Sequence, residues 1–138
     1  MKISTKGRYA LRMLIDLCTN GQERYIALKD VAERQNISKK YLEQIVPALH
    51  KAGILETTRG FQGGYRLAKS PEECTIGEIL RITEGDLAPV ACLQDKENQC
   101  PRAGDCVTLP IWEGLQTVIA DYLDGLTLKD LIDKMSIK

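Results

Sequence analysis

Three short amphipathic segments, followed at once by a glycine-rich turn region, limit what the first half of this chain can fold into. Apolar residues recur at helical spacing over 5–19, 27–35 and 39–52, and each range is predicted to form a helix. Ser38 directly precedes the third range and is a good N-cap. Two short runs within 54–68 flank the letters RGFQGG, which is typical of a β-hairpin with a glycine-rich tip. Helices followed by such a hairpin are the order of a winged helix-turn-helix.

The second half is predicted to contain a long loop between helices. A helix begins at Thr75, the first residue of the capping-box pattern TIGE, and ends near Thr83. Residues 84–107 lack periodicity, and loops of this length are uncommon unless they are functional or disordered. An amphipathic helix follows over 108–124, and a short capped helix begins at Thr127. The expected fold is therefore mainly α with a small β-hairpin wing, a winged helix-turn-helix plus a long C-terminal dimerisation helix.

The charge of the chain is distributed unevenly between its halves. Residues 1–69 carry 13 Lys and Arg against 6 Asp and Glu, whereas residues 70–138 carry 6 against 13. A basic region suits phosphate binding, and an acidic region does not. We therefore expect a winged helix-turn-helix region that binds double-stranded DNA over 1–69. The sensing loop and the dimerisation helix are expected over 70–138. Dimerisation is expected because the helix over 108–124 has more apolar surface than the remaining chain can cover. A homodimer would cover it.

The third helix is the expected DNA-reading element, because the second helix of a helix-turn-helix enters the major groove with its N-terminal residues. Lysines there suit phosphates, Gln44 can pair with adenine, and Glu43 can accept from cytosine. A solvated polar helix face is the alternative interpretation. The candidates on this helix are Ser38, Lys39, Lys40, Tyr41, Glu43 and Gln44.

Two further segments supply candidate DNA contacts. Arg59 and Gly60 lie at the hairpin tip, where an arginine fits a narrow minor groove and glycines permit close backbone approach. The alternative is a plain β-turn whose glycines only satisfy the turn geometry. The start of the first helix offers possible phosphate contacts from Lys6, Arg8 and Tyr9.

Several classes of protein are excluded by what the sequence lacks. No apolar run approaches the roughly 20 residues of a membrane span. Arg12 and Asp16 interrupt the first apolar stretch, unlike in a signal peptide. We therefore expect a cytoplasmic protein with no membrane partner. No nucleophile–base pair, metal-hydrolase spacing or phosphate loop is evident, so we do not expect an enzyme.

The five cysteines fall into two groups. Cys18 and Cys74 occur in helix-like patterns and are expected to be small buried residues. The others form the pattern Cys92-x7-Cys100-x5-Cys106 in the predicted loop. Structural disulfides are not expected in a reducing cytoplasm. Soft thiolates favour iron–sulfur clusters, zinc or Cu(I), and zinc could take a carboxylate as its fourth ligand.

At this point the residues resemble a known family. The segments MKISTKGRYALRML, ISKKYLEQIVPALHKAGIL and TTRGFQGGYRLA resemble the IscR-type winged-helix transcriptional regulators, a family that includes nitric-oxide-sensing and cysteine-metabolism repressors. The resemblance implies a homodimer packed along the long helix. It implies an iron–sulfur cluster on Cys92, Cys100 and Cys106, with [2Fe–2S] favoured over [4Fe–4S], since the cysteine-metabolism branch lacks these thiols. It also implies DNA contacts from Tyr9, Tyr41, Glu43, Gln44 and Arg59.

The sequence departs from the family pattern at the fourth ligand. The iron–sulfur members have five residues between the first two cysteines, where this chain has seven, and a histidine where this chain has Leu109. Other branches use an acidic residue or histidine near positions that are here Arg8 and Arg12. The fourth ligand is therefore unknown: a carboxylate of Asp95, Glu97 or Asp105, a water or a small thiol. His50, the only histidine, lies in the recognition helix.

The expected function is transcriptional regulation, as a repressor, in response to an iron–sulfur cluster, with control of cluster assembly or related genes. Two alternatives stay open. One is a thiol- or zinc-dependent transcriptional regulator without a cluster. The other is an iron–sulfur carrier that does not bind DNA.

Overall fold

The computed structural model describes residues 2–21, 24–60 and 63–136, with no side chain described for 135 and 136. Over these residues the helices are α1 Thr5–Gly21, α2 Leu28–Gln35, α3 Lys39–Lys51, α4 Ile76–Glu84, α5 Leu109–Asp124 and α6 Leu128–Ser136. The strands are β1 Leu55–Thr58 and β2 Gly64–Leu67. Short 3-10 turns occupy Pro71–Glu73 and Ala91–Leu93. The predicted mainly α fold with a hairpin wing is confirmed, with helix boundaries within two residues of those expected.

The turn between α2 and α3 has two local determinants. Asn36 adopts a left-handed conformation, with a φ of 54°, and thereby ends α2. The Ser38 hydroxyl then accepts a hydrogen bond of 3.0 Å from the Tyr41 N–H, as expected of an N-cap. Between them, Ile37 is buried and fastens the turn to the core. These contacts fix where the recognition helix α3 begins.

The wing is an antiparallel hairpin attached to the rest of the molecule at its base. The register runs from Leu55 opposite Leu67 to Thr58 opposite Gly64. The segment before α2 also pairs with β2, because Ile26 and Tyr65 exchange N–H to carbonyl bonds of 2.9 and 2.8 Å. Gly64 lies directly against the Ile26 backbone, with no room for a side chain. This glycine is therefore required where the hairpin packs on the segment before α2.

The second half of the chain packs back onto the first. Thr75 caps α4 by accepting a 3.1 Å bond from the Glu78 N–H, as predicted. Thr127 caps α6 through reciprocal bonds with Asp130 of 2.9 and 3.2 Å. Leu128 is fully buried and belongs to the same apolar cluster as the helix-turn-helix residues of the described chain. The division at residue 69 is therefore a proposed division of roles within one shared core. No helix in the described ranges has the length and apolar character to cross a membrane.

A buried carboxylate joins α1 to α2. Asp16 is 1% exposed and accepts bonds from the Arg34 guanidinium, the shortest being 2.7 Å. The Gln35 side-chain amide donates a further bond of 2.9 Å to the same carboxylate. Because a buried charge is costly unless it is paired and hydrogen-bonded, this arrangement fixes how α2 sits on α1.

Replacing Arg34 with Met is expected to lower the free energy of unfolding by about 3 kcal/mol, because the Asp16 carboxylate stays buried without its cation. Met keeps a high helix propensity. The matched control is Arg81→Met, which removes the exposed pair with Asp124, and it is expected to cost less than about 1 kcal/mol. Urea denaturation followed by circular dichroism at neutral pH measures both. Equal losses in the two variants would contradict the role given to Arg34.

Candidate DNA interface and cysteine loop

The first turns of α3 present a polar face to solvent. The inner side of the helix is anchored by buried Leu42 and Ile45. Lys39 and Glu43 approach to 3.8 Å across one turn, and both side chains remain more than half exposed. Tyr41 is half-buried, and the other predicted contacts on this face are exposed: Ser38, Lys39, Lys40, Glu43 and Gln44. The helix is therefore anchored on one side and open to a ligand on the other.

The start of α1 lies beside this face. The rings of Tyr9 and Tyr41 meet edge to face, with centroids 5.3 Å apart and planes inclined at 71°. Arg8 is exposed, and its guanidinium donates a 3.1 Å bond to the Thr5 hydroxyl. Lys6 lies in the first turn of the same helix. The structure therefore brings the α1 and α3 candidates into one surface, although 31 positions separate Tyr9 from Tyr41.

The tip of the wing is exposed at Arg59 and Gly60, and residues 61 and 62 lie outside the described residues. Gly60 has a φ of 108°, which L side chains rarely adopt, with open space around its Cα. A side chain on Gly63 would press against the Thr58 carbonyl, 2.6 Å away. Gly63 is therefore needed by the turn and Gly64 by the contact with the Ile26 backbone, whereas Arg59 and Gly60 are exposed to solvent.

Sequence reasoning missed the polar side chains that brace this surface. The sequence pattern gives Arg12 no DNA-binding or packing role, yet its guanidinium donates to the Gln35 side-chain and backbone oxygens. Arg66 at the wing base lies over the Tyr25 ring, 4.3 Å from its centroid, and pairs with Glu56 at 2.9 Å. Each partner comes from a different element, so periodicity within one helix or strand gives no signal for these contacts.

The predicted cysteines line the loop between α4 and α5. Cys92 lies in the 3-10 turn, Cys100 follows an Asn98 turn, and Cys106 lies three residues before Leu109 at the start of α5. All three are free thiols of intermediate exposure. Within the described ranges, no three His, Cys, Asp or Glu side chains are gathered so as to hold a metal ion. The donor set fits a soft metal or an iron–sulfur cluster in its chemistry, but the loop would have to close around the group to bring the thiols together.

One contact lies at the end of α4, where the loop begins, and a second lies within the loop. The Glu84 carboxylate, at the end of α4, accepts bonds of 2.8 and 2.9 Å from the Ser4 N–H and hydroxyl, just before α1. Gly7 of α1 packs against Glu84 so closely that no side chain fits there without displacement. Farther along the loop, the Gln116 amide of α5 donates a 3.3 Å bond to the Leu93 carbonyl, next to Cys92. The loop therefore begins beside the contact between α4 and the start of α1, and it bonds directly to α5.

The chemical environments of the cysteines differ. The Cys106 sulfur lies 3.4 Å from the Thr108 hydroxyl, and this contact, with the Thr108 backbone N–H, lowers the pKa of the Cys106 thiol. Burial raises the pKa of Cys18 to about 12 and that of Cys74 to about 11. Cys74 is fully buried, whereas Cys18 is partly exposed, close to the expectation for small core residues.

In the metal-free, reduced protein at neutral pH, iodoacetamide is expected to alkylate Cys106 at least about tenfold faster than Cys18 or Cys74, because the thiolate is the reactive form and a lower pKa increases its fraction. Peptide mass spectrometry over time measures each rate. Thr108→Val is expected to slow Cys106 and leave Cys18 unchanged. If Thr108→Val left the Cys106 rate unchanged, the Thr108 hydroxyl would have no part in lowering the pKa of Cys106.

An apolar seam runs along the outside of α5. Its residues are spaced four, three and four apart, so they share one helix face. They are large and exposed: Ile111 59%, Leu115 42%, Val118 64% and Tyr122 66%. The C-terminal end of α5 is held to α4 by the Arg81–Asp124 ion pair, at 2.6 Å.

A helix-turn-helix followed by a hairpin wing, with an exposed polar face on its second helix, defines a winged-helix DNA-binding transcriptional regulator, not an enzyme. Comparison with known proteins agrees. A family model described as Rrf2, iron-dependent transcriptional regulator, matches residues 3–134. The chain belongs to the Rrf2 family.

Individual relatives cover nearly the whole chain. The protein rrf2 of Nitratidesulfovibrio vulgaris is 41% identical, over 99% of this chain and 91% of that protein. The regulator CymR of Bacillus subtilis is 40% identical, over 95% and 89%. The regulator IscR of Aliivibrio salmonicida is 37% identical, over 96% and 77%. These names include more than one kind of regulator.

The similar solved structures likewise include more than one kind of regulator. The structure of CymR, titled the global cysteine regulator of B. subtilis, has a TM-score of 0.79 at 38% identity and covers 97% of this chain and 98% of that one. T. potens IscR has a TM-score of 0.78 at 36% identity and covers 98% and 88%. The fold and the regulator class are therefore shown, and the signal to which the protein responds needs a separate argument.

Proposed function

We propose that this regulator is a cytoplasmic homodimeric repressor whose DNA binding responds to an iron–sulfur cluster held by Cys92, Cys100 and Cys106. The observation that carries the proposal is the placement of three free thiols in one loop, directly before α5. The iron-dependent description of the matching family and the IscR relatives support it. We further propose that it controls genes of cluster assembly or related functions.

The cysteine loop supplies the ligands in this proposal. Thiolates are the usual protein ligands of iron–sulfur clusters, and the lowered pKa of Cys106 favours its thiolate form. When bound, the cluster would supply a redox-active group that cross-links the loop. The wider spacing between Cys92 and Cys100 and the unassigned fourth ligand leave an incomplete protein shell. Such a shell suits a labile cluster that reports cluster supply or oxidation.

Coupling to DNA would run through the contacts at the two ends of the loop. The Ser4–Glu84 bond joins the end of α4, where the loop begins, to the start of α1, and Gln116 of α5 bonds to Leu93, next to Cys92. A ligand changes an equilibrium only by binding its two states differently. Closure of the loop around a cluster would favour one arrangement of these contacts over the other.

The proposed DNA surface combines the polar face of α3, the start of α1 and the wing tip. The α3 side chains would read base edges, while the flanking residues would fix the register through phosphates and the minor groove. The proposed contacts are Lys6, Arg8, Tyr9, Ser38, Lys39, Lys40, Tyr41, Glu43, Gln44, Arg59 and Gly60. Selection of duplexes from a random library tests whether the protein binds a specific sequence, because enrichment should then yield a defined site.

The proposed cluster predicts a colour that depends on particular thiols. Anaerobically purified or reconstituted protein is expected to show visible charge-transfer absorption, with iron and sulfide in matching amounts. Cys92→Ala is expected to abolish the absorption, and Cys18→Ala, the matched control, to retain it. Absorption spectra with iron and sulfide assays measure this. A colourless protein without sulfide after reconstitution would contradict the iron–sulfur proposal.

That negative outcome would favour the second candidate, a regulator that senses through its thiols or through zinc. B. subtilis CymR, titled a global cysteine regulator, is 40% identical to this chain, so similarity alone does not decide in favour of the cluster. Three thiolates and a carboxylate could bind zinc tetrahedrally, and zinc has no visible absorption. Metal analysis of the colourless protein then separates zinc from free thiols. The third alternative, a carrier that does not bind DNA, is disfavoured by membership in a family of regulators.

The exposed seam of α5 predicts how the dimer forms. Val118→Glu is expected to weaken self-association by at least about 100-fold, because it would bury an unpaired charge between two copies. Thr117→Glu is the matched control, since Thr117 is exposed on the same helix but off the seam. Sedimentation velocity across a concentration series measures both. Equal dimer stability in the two variants would place the interface elsewhere.

A further inference from the structure

A chain of polar contacts leads from the buried Asp16 to the proposed reading face. The Asp16 carboxylate accepts a 2.9 Å bond from the Gln35 amide. The side-chain oxygen of Gln35 in turn accepts a 3.3 Å bond from Arg12 Nε, and its backbone oxygen accepts another from Arg12 Nη2. Arg12 is thereby held in place by α2.

The other side of Arg12 faces the aromatic pair. Its guanidinium carbon lies 5.3 Å from the centroid of the Tyr9 ring, within cation–π distance. The Tyr9 ring meets the Tyr41 ring edge to face at 5.3 Å. One planar guanidinium therefore contacts α2 through two hydrogen bonds and the Tyr9 ring through its charge.

We infer that Arg12 is a positioning residue, which holds the Tyr9–Tyr41 pair in the orientation that reads DNA. This inference rests on the proposed DNA surface. Lysine could not substitute, because a compact ammonium lacks the rigid fork that bonds both Gln35 oxygens while lying over a ring. The role thus depends on the shape of the guanidinium as well as on its charge.

A direct phosphate contact is the competing role for an exposed arginine, and salt dependence separates the two. Loss of one phosphate contact lowers the slope of log affinity against log salt by about 0.9. Loss of a positioning residue lowers affinity and leaves the slope unchanged. Arg8 is one helical turn away on α1 and is a proposed phosphate contact, so it is the matched comparison.

The experiment uses a duplex that the full-length protein has selected from a random library. Arg12→Gln and Arg12→Lys are both expected to weaken binding by about fivefold to tenfold, with the wild-type salt slope. Arg8→Gln is expected to reduce the slope by about 0.9. Fluorescence anisotropy over a range of salt concentrations measures affinity and slope.

A second measurement needs no DNA. In protein labelled with 3-fluorotyrosine, Arg12→Gln and Arg12→Lys are expected to shift the Tyr9 and Tyr41 fluorine resonances, whereas Arg8→Gln leaves them in place. Tyr9→Phe and Tyr41→Phe assign the signals. Thermal unfolding confirms that each variant is folded.

Opposite results would overturn the inference. If Arg12→Gln reduced the slope and Arg12→Lys restored it, Arg12 would be a phosphate contact. If both Arg12 variants kept the wild-type affinity, or if neither shifted the Tyr9 and Tyr41 resonances, Arg12 would not position the tyrosine pair. The proposed DNA surface fails separately, if Tyr41→Ala binds the selected duplex as tightly as the wild type does.

Discussion

The rest of the structure depends on the ion pair between Asp16 and Arg34. A carboxylate that is 1% exposed on α1 is compensated by α2, through Arg34 and Gln35. Because an unpaired charge at that depth would be strongly unfavourable, α2 has little freedom to rotate or slide on α1. Since α3 follows α2 directly after the Asn36 turn, the ion pair also restricts the orientation of α3, the proposed recognition helix. A polar contact in the core thus defines the geometry of a surface.

Helix α4 plays the corresponding part between the two halves. At its C-terminal end, Glu84 accepts hydrogen bonds from Ser4, and Gly7 of α1 packs closely against the same side chain. Along its outer side, Arg81 binds Asp124 near the end of α5. The proposed sensing loop leaves directly from α4. Helix α4 therefore contacts both the start of α1, which carries proposed DNA contacts, and α5, the proposed dimerisation helix.

Much of this fold could be predicted, because local rules determine it. At Ser38, Thr75 and Thr127 the capping side chain bonds to the N–H of the residue three positions later, so each cap depends on a short stretch of sequence. The helical periodicity is equally local. The partners of Asp16 and Arg12 could not be predicted, since they come from another helix about 20 positions away. The candidate DNA residues were found by type and location, whereas the conformation of the cysteine loop has no periodic signal.

The burial of Leu128 has a consequence for the order of events during synthesis. This residue is fully buried in the shared apolar core, where α6 packs on α1 and on the Pro71–Glu73 turn, and its N–H donates to the Cys74 carbonyl at 3.0 Å. A growing chain that ends before α6 lacks a part of its own interior. Such long-range contacts form late, since closing them restricts the whole intervening chain. The core beneath the winged helix-turn-helix is therefore completed only after the ribosome has made the cysteine loop, so chains that fold without this loop have little opportunity to accumulate.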